Sequence, residues 1–308
     1  MNFYTNIVQW GNFLLLREIR NGERINRRIK YSPTLYAPVT KPTEWKTLDG
    51  KFVTPIKHDT IKEAKAWVEQ YKSQSHLIHG SSMFPYSYIA DEYPQTVQYD
   101  IDQISIFTID LEVQCENGFP NPKEAAEPFL SITIKDHQSK QFVVWGIGEF
   151  RNDRADVKYV QCESEVHLLK EFLAFWENNQ PDIITGWNTE FFDIPYLCNR
   201  IHKLFGEDEV KRLSPWRSVQ SREVFQMGRL DHIAFVELGE RKDGNPFDTF
   251  RDWYTKDYQS FLEYNIMDVE LVDRLEDKMK LIELCLTMAY DAKVNYMDVL
   301  GSTKYWDI

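Results

Sequence analysis

The stretch Ile106-Phe107-Thr108-Ile109-Asp110-Leu111-Glu112-Val113 decides how this chain is interpreted. Side chains alternate between the two faces of an extended strand, so Asp110 and Glu112 lie side by side on one face and apolar residues on the other. A half-exposed edge strand with two solvated acids is one interpretation. Because the run is apolar on both flanks, it favours a central strand, where unpaired acids are costly.

A second acidic segment, Asn188-Thr189-Glu190-Phe191-Phe192-Asp193, follows a short apolar strand. Pro195 belongs in a first helical turn, which places Asp193 at a helix N-terminus and at the carboxyl end of the strand. Folds of the α/β class put ligand groups there. The alternative is that Asn188 and Asp193 are only capping residues.

A third segment contains Tyr264 and Asp268, which are four residues apart and therefore share one helix face. If this pair is considered without the other segments, the alternative is that Tyr264 and Asp268 only mark the ordinary change from buried to exposed side chains around a helix. Taken together, the three segments supply four carboxylates and one phenol. Converging carboxylates repel and raise one another's pKa, so the series predicts a divalent metal site, as in a two-metal phosphodiesterase.

Composition limits the other possibilities. The chain has 308 residues, 43% of them hydrophobic, which is enough for two domains. Its net charge of -12 argues against affinity based mainly on neutralising phosphates, so nucleic acid would be held by metal ions, stacked aromatic rings and backbone donors. Its four cysteines form no Cys-x-x-Cys pair, which argues against zinc or a disulfide scaffold and favours a reducing cytoplasm. No signal peptide or membrane span is expected.

The first hundred residues predict a mixed α+β domain. Asn21-Gly22 is a strong hairpin signal, and Thr60-Ile61-Lys62-Glu63 is a capping-box pattern that starts an amphipathic helix. A basic cluster accompanies the hairpin: Arg17, Arg20, Arg24, Arg27, Arg28 and Lys30. It is either a phosphate contact or a solvated hairpin face.

From about residue 105 the pattern is strand, strand, strand, helix, strand, helix, which indicates an α/β layer fold. The helices are expected at 164–178, at 195–205 with Gly206 as the terminator, and at about 257–290.

With these motifs in this order, the chain resembles the proofreading 3′-5′ exonuclease of family B DNA polymerases, of the T-even bacteriophage type. Shorter stretches support the resemblance, including Asn117-Gly118-Phe119-Pro120 and Lys304-Tyr305-Trp306-Asp307. It implies an N-terminal domain over 1–100, a ribonuclease-H-like exonuclease domain over 101–280, and a return segment over 281–308.

The resemblance also implies roles for the site residues. Asp110 would bridge two divalent ions, Mg²⁺ with Mn²⁺ as the alternative. Glu112 and Asp268 would complete the first ion's ligands, Asp193 would hold the second ion, and Tyr264 would orient the attacking water. Three further residues would contact DNA. The terminal nucleotides of single-stranded DNA or of a frayed primer-template would lie against Phe119, Asn188 and Phe192.

Two departures from the family pattern stand out. The chain contains no polymerase signature, so it is expected to be a split-gene product, a fragment or an incomplete reading frame, with palm, fingers and thumb on a second chain or a missing C-terminal part. Around Gln226-Met227-Gly228-Arg229-Leu230-Asp231-His232 it lacks a strand and a helix of the family pattern.

The resemblance also implies binding partners. They are a sliding clamp, a single-strand-binding protein and RNA at the N-terminal domain, in an infected bacterial cell.

Three functions remain open from the sequence. The first is an exonuclease, the second a nucleic-acid or replisome binding module with an inactive exonuclease scaffold, and the third a free-standing ribonuclease. The intact acids favour an enzyme, because an inactive site has no physical reason to keep costly clustered carboxylates.

Overall fold

The computed structural model describes residues 1–116, 118–219 and 245–300, which form two compact units. One unit contains Met1–Gln103 and the chain from Leu281 onward, and the other contains Ile104–Lys280. No helix within the described residues combines the length and the apolar composition needed to cross a bilayer.

Three features expected from the sequence lie outside the described residues. They are Asn117, the shortened stretch 226–232 and the ending 304–307.

The first unit has two antiparallel sheets, ordered β1-β2-β3 and β4-β6-β5, with helices around them. The strands are β1 (Asn2–Trp10), β2 (Phe13–Arg20), β3 (Glu23–Lys30), β4 (Thr34–Pro38), β5 (Trp45–Lys46) and β6 (Phe52–Lys57). The helices are α1 (Ile61–Gln70), α2 (Phe84–Glu92), α8 (Leu281–Ala292) and α9 (Tyr296–Val299), with 3₁₀ helices at Lys72–Leu77 and Ile101–Gln103.

Local signals in this unit are confirmed. Asn21 and Gly22 form the tight turn between β2 and β3, with φ angles of 53° and 84°. The Thr60 hydroxyl accepts from the Glu63 amide at 3.2 Å and caps α1. The Glu63 carboxylate accepts from the Asp59 amide, one residue earlier than a capping box requires.

The basic cluster of the hairpin is largely occupied by protein partners. Arg20 and Arg27 both form ion pairs with Glu18, at 2.9 and 2.6 Å, and both reach Glu92. The Glu18 side chain is fully buried, so these arginines compensate a charge that would otherwise be costly. Their arrangement favours the structural interpretation of the cluster over phosphate contact.

The second unit is built on one mixed sheet ordered β10-β9-β8-β7-β11. Its strands are β7 (Ile106–Val113), β8 (Phe129–Asp136), β9 (Phe142–Gly146), β10 (Val157–Gln161) and β11 (Ile183–Thr185). Strand β7 lies between antiparallel β8 and parallel β11, so the expectation of an α/β layer with an acidic central strand is confirmed. Strand β10 was not expected from the sequence; it extends the sheet beyond β9 in parallel.

The helices of this unit are α3 (Glu165–Asn178), α4 (Asp193–Phe205), α5 (Glu207–Val210), α6 (Phe250–Lys256) and α7 (Tyr258–Met279), with a 3₁₀ helix at Lys211–Leu213. The prediction of one helix over 257–290 is wrong. Lys280 adopts a left-handed conformation with φ 54°, and its amide donates to the Glu276 carbonyl, which ends α7 before α8 begins.

The two faces of β7 have different neighbours. Its apolar face, including Ile109 and Leu111, packs in one core with residues of α3 and α4, among them Phe172 and Tyr196. Helix α7 contacts β7 and β8. The acidic face of β7 is directed toward α7, where Asn265 contacts Asp110.

Tyr258 attaches the start of α7 to the sheet. Its hydroxyl donates to the Leu130 carbonyl at 2.8 Å and accepts from the Ile147 amide at 3.0 Å. Its ring lies against Gly148 and its hydroxyl against Gly146, so a side-chain carbon at either glycine would overlap Tyr258. The position of α7, and of the side chains it carries toward β7, therefore depends on this contact.

We expect Tyr258→Phe to lower the free energy of unfolding by about 0.5–1.5 kcal/mol, because both hydrogen bonds of the hydroxyl are lost while the Ile147 amide still donates to the Leu130 carbonyl at 3.3 Å. Urea denaturation measures the change, and Tyr71→Phe on the half-buried end of α1 is the matched control. An unfolding midpoint equal to that of the control would show that the hydroxyl does not hold α7 on the sheet.

Candidate active site

Two carboxylates project from the central strand toward α7. Asp110 is half-buried, and Glu112 is 9% exposed. Their partners across the antiparallel ladder are Thr133 for Asp110 and Ser131 for Glu112. The alternation of β7 therefore delivers both acids to one face, as the sequence predicts.

The segment after β11 passes very close to β7. At Gly186 a side-chain carbon would overlap the Ile109 carbonyl and the Thr189 hydroxyl, so only glycine fits. The chain then turns through Asn188, which has φ 59°, and α4 begins at Asp193. This close passage places the start of α4 beside the acidic end of β7.

Helix α7 supplies the remaining groups. Tyr264 and Asp268 lie one turn apart on the helix and line the same cavity as Asp110, Glu112 and Asp193. The cavity has a volume of about 470 Å³. The five residues predicted to be catalytic therefore surround one space within the second unit.

Three of the acids form a tight group. Asp110, Glu112 and Asp268 each offer a carboxylate oxygen, and these oxygens lie within 4.8 Å of one another. Asp193 is outside that group; it is 2% exposed, and its carboxylate accepts a hydrogen bond from the Leu111 amide. The four carboxylates thus divide into a cluster of three and one buried neighbour.

Burial dominates the electrostatics of the site. It raises the pKa of Asp193 to about 8, with a smaller upward contribution from the charge of Asp268, while the Leu111 amide opposes the rise. Burial likewise raises the pKa of Tyr264, followed by the charges of nearby acids, Asp268 first. Tyr264 is therefore a neutral phenol at physiological pH, and it hydrogen-bonds to Asp268.

These residues fit divalent cations. Clustered carboxylate oxygens are the ligands that Mg²⁺ and Mn²⁺ prefer, and oxygens within 4.8 Å of one another can share an ion. A bound cation would also favour the ionised form of Asp193, whose charge is penalised by burial.

Aromatic side chains form one wall of the cavity. Phe119 is 76% exposed, and the centroid of its ring lies 5.1 Å from the centroid of the Phe192 ring. Asn188 lines the same cavity, so the three predicted DNA contacts are close to the acids. An exposed ring beside a carboxylate cluster offers a stacking surface for a planar group.

Sequence reasoning missed several residues of the site. Trp187 and Phe250 also line the cavity, and Asn265 donates a hydrogen bond to Asp110 at 2.6 Å. Asn265 could have been found, since it precedes Asp268 by three residues and therefore shares its helix face. Phe250 follows a stretch without a recognisable motif, and no sequence signal indicates it.

The chain is similar to known DNA polymerases. Residues 40–236 match the family model described as DNA polymerase family B, exonuclease domain. The DNA-directed DNA polymerase of Escherichia phage RB69 is 30% identical, over 99% of this chain and 40% of that protein. The corresponding enzyme of Enterobacteria phage T4 is 27% identical, with the same coverage. The chain therefore spans about 40% of the length of these relatives, and the resemblance seen in the motifs is confirmed.

The DNA polymerase of Pyrococcus glycovorans is 27% identical over 33% of this chain, so likeness extends beyond phages. The alignment with the phage RB69 enzyme covers 366 positions, more than the 308 residues of this chain, so the relative has residues without a counterpart here. The motif spacing predicts a shortening of this kind between the second and third motifs.

We expect Gly186→Ala to destabilise the second unit by about 1–3 kcal/mol, because the new methyl group would push β11 away from the Ile109 carbonyl. Gly206→Ala is the control, since it has a positive φ but open space around it. Thermal denaturation compares the two variants. A smaller loss for Gly186→Ala than for Gly206→Ala would contradict the close passage of the two strands.

Proposed function

Because the chain belongs to the family B DNA polymerases and carries their exonuclease domain, we propose that it removes nucleotides from the 3′ end of DNA by metal-assisted hydrolysis. The domain is of the ribonuclease-H-like class. The observation that supports the activity best is the approach of Asp110, Glu112 and Asp268 to within 4.8 Å, beside buried Asp193. Such a group of acids is costly unless it binds cations.

Each side chain has a proposed role. Asp110, which lies beside Glu112 on the central strand, would help to hold both cations, with Glu112 and Asp268 completing one ligand set and Asp193 the other. Divalent ions held by these residues would stabilise the charge on the entering and leaving oxygens during hydrolysis of the phosphodiester. Mg²⁺ is the proposed ion, with Mn²⁺ as a substitute.

Tyr264 would position the attacking water rather than deprotonate it. Its raised pKa keeps the phenol protonated, and its hydrogen bond to Asp268 fixes the hydroxyl at the edge of the carboxylate cluster. A protonated phenol cannot act as a general base at neutral pH, but its oxygen can still accept a hydrogen bond from water.

The proposed substrate is single-stranded DNA or the frayed end of a primer. The exposed Phe119 ring and its neighbour Phe192 offer a stacking surface that accepts any base, and Asn188 supplies a polar group beside it. Tolerance of every base is what removal of mispaired ends requires. Selectivity would come from the easier melting of a mismatched end.

Other partners are proposed only from the family resemblance. They are polymerase palm, fingers and thumb, a sliding clamp and a single-strand-binding protein in the cytoplasm of an infected bacterium. RNA binding at the first unit is the weakest of these, because Arg20 and Arg27 already pair with Glu18. A scaffold without activity is disfavoured by the close approach of the three acids.

We expect Asp110→Ala/Glu112→Ala to reduce the rate of 3′-end degradation by about 10³-fold or more, since metal ions contribute several kcal/mol to such reactions. The assay follows shortening of a single-stranded and a 3′-recessed oligonucleotide with Mg²⁺ or Mn²⁺. Glu190→Gln is the control, because Glu190 is an exposed acid of the second motif outside the cavity lining.

Two results would contradict the proposal in different ways. Unchanged activity of the double variant would show that the acids are not the catalytic group. Inactivity of the wild type and the double variant alike, with both metals, would favour the binding-module function.

We expect Phe119→Ala to raise KM for single-stranded DNA by about 10-fold with a smaller change in kcat, because a stacked base contributes about 1–3 kcal/mol. Phe119→Tyr keeps the ring and should behave like the wild type. Steady-state degradation of a short oligonucleotide gives both constants. An equal KM for the Ala and Tyr variants would show that the exposed ring does not hold the substrate.

A further inference from the structure

Asn265 is a fully buried amide in the contact between α7 and the sheet. It is 0% exposed and lies on α7 between Tyr264 and Asp268. A buried amide without hydrogen bonds would cost several kcal/mol, so its partners explain why it is there.

Its partners determine the orientation of the amide. The Nδ2 group donates to Asp110 Oδ2 at 2.6 Å. The Oδ1 atom accepts from the Ser131 hydroxyl at 3.0 Å and from the Thr133 hydroxyl. An ionised carboxylate only accepts hydrogen bonds, so the NH₂ end must face Asp110 and the oxygen must face the hydroxyls.

The two hydroxyls come from the positions directly opposite the acids of β7. Thr133 is the ladder partner of Asp110, and Ser131 is the partner of Glu112. Both residues are fully buried. Asn265 therefore joins β7, β8 and α7 at the point where these elements bring the carboxylates together.

The hydrogen bond from Asn265 sets the last side-chain torsion of Asp110, which the position of strand β7 does not set. The last side-chain torsion of aspartate has a broad energy minimum, so packing of β7 sets where Asp110 lies but not how its carboxylate is rotated. A hydrogen bond to Oδ2 sets that rotation. Because the donor is neutral, it leaves the negative charge of Asp110 available to a cation, which a lysine or arginine at this position would not.

We propose that Asn265 is a positioning residue that orients the Asp110 carboxylate for divalent metal binding. The inference rests on the function proposed above for the same site. Groups that hold metal ligands in place typically change metal affinity by about 10–100-fold when they are removed. Asn265 would act through Asp110 and would not touch substrate.

The test measures metal binding separately from activity. Mn²⁺ titration of the full chain without DNA, followed by electron paramagnetic resonance, gives the dissociation constant for the ion. We expect Asn265→Leu to weaken Mn²⁺ binding by about 10-fold or more, because leucine has a similar size but no donor. The Mg²⁺ concentration for half-maximal exonuclease rate should rise by a similar factor, with part of the rate recovered at saturating Mg²⁺.

Two further variants keep the test decisive. Asn265→Ser is too short to reach Asp110 but keeps a polar group for the two hydroxyls, so it replaces the Leu variant if that protein does not fold. Asn199→Ser, on α4, removes an exposed amide bonded to the Pro122 carbonyl and should bind Mn²⁺ like the wild type.

The outcomes separate this inference from the proposed function. A lowered melting temperature with unchanged Mn²⁺ affinity in the folded Asn265 variants would show a purely structural role and overturn the inference alone. Wild-type protein that neither binds Mn²⁺ nor degrades DNA would overturn the proposed function and this inference with it.

Discussion

The repulsion among clustered, desolvated carboxylates is the constraint on which the second unit depends. Asp110, Glu112 and Asp268 approach within 4.8 Å, and Asp193 is buried beside them with its pKa raised to about 8. Each acid alone would gain free energy by moving into water. The surrounding structure must therefore hold the acids in place, and neutral groups, the Asn265 amide and the Leu111 amide, donate to Asp110 and Asp193.

Those contacts come from three directions. Gly186 lets the segment before α4 pass against the β7 backbone, which brings Asp193 to the site. The hydroxyl of Tyr258 attaches the start of α7 to the sheet, and Asn265 continues that attachment at the level of Asp110. The Leu111 amide supplies a partner for Asp193 without adding charge. Neutral donors stabilise the acids only partly, and this leaves a driving force for cation binding.

The sequence predicts the parts of this arrangement that depend on local pattern. The alternation of side chains in β7 places Asp110 and Glu112 on one face of the strand. The four-residue spacing of Tyr264 and Asp268 places both on one face of a helix. Strand β10 was missed because it is a short strand at the sheet edge with only one buried residue, Val157. The end of α7 was missed because apolar residues continue across Lys280 with helical spacing. Its left-handed conformation coincides with the boundary between two units, which local pattern does not encode.

The net negative charge of the chain gives cations at the carboxylate cluster a second proposed role, in DNA binding. With a net charge of -12, the protein repels a polyanion, and stacking on Phe119 must overcome that repulsion. On the proposed function, two divalent cations bound by the four acids would offset their negative charge where the terminal phosphate must lie. Binding of metal and of DNA would then strengthen each other, because a coupling between two ligands is reciprocal. A double-stranded end far from the cations would gain little from them, so the same charge that makes the protein a poor general DNA binder would favour a melted 3′ end.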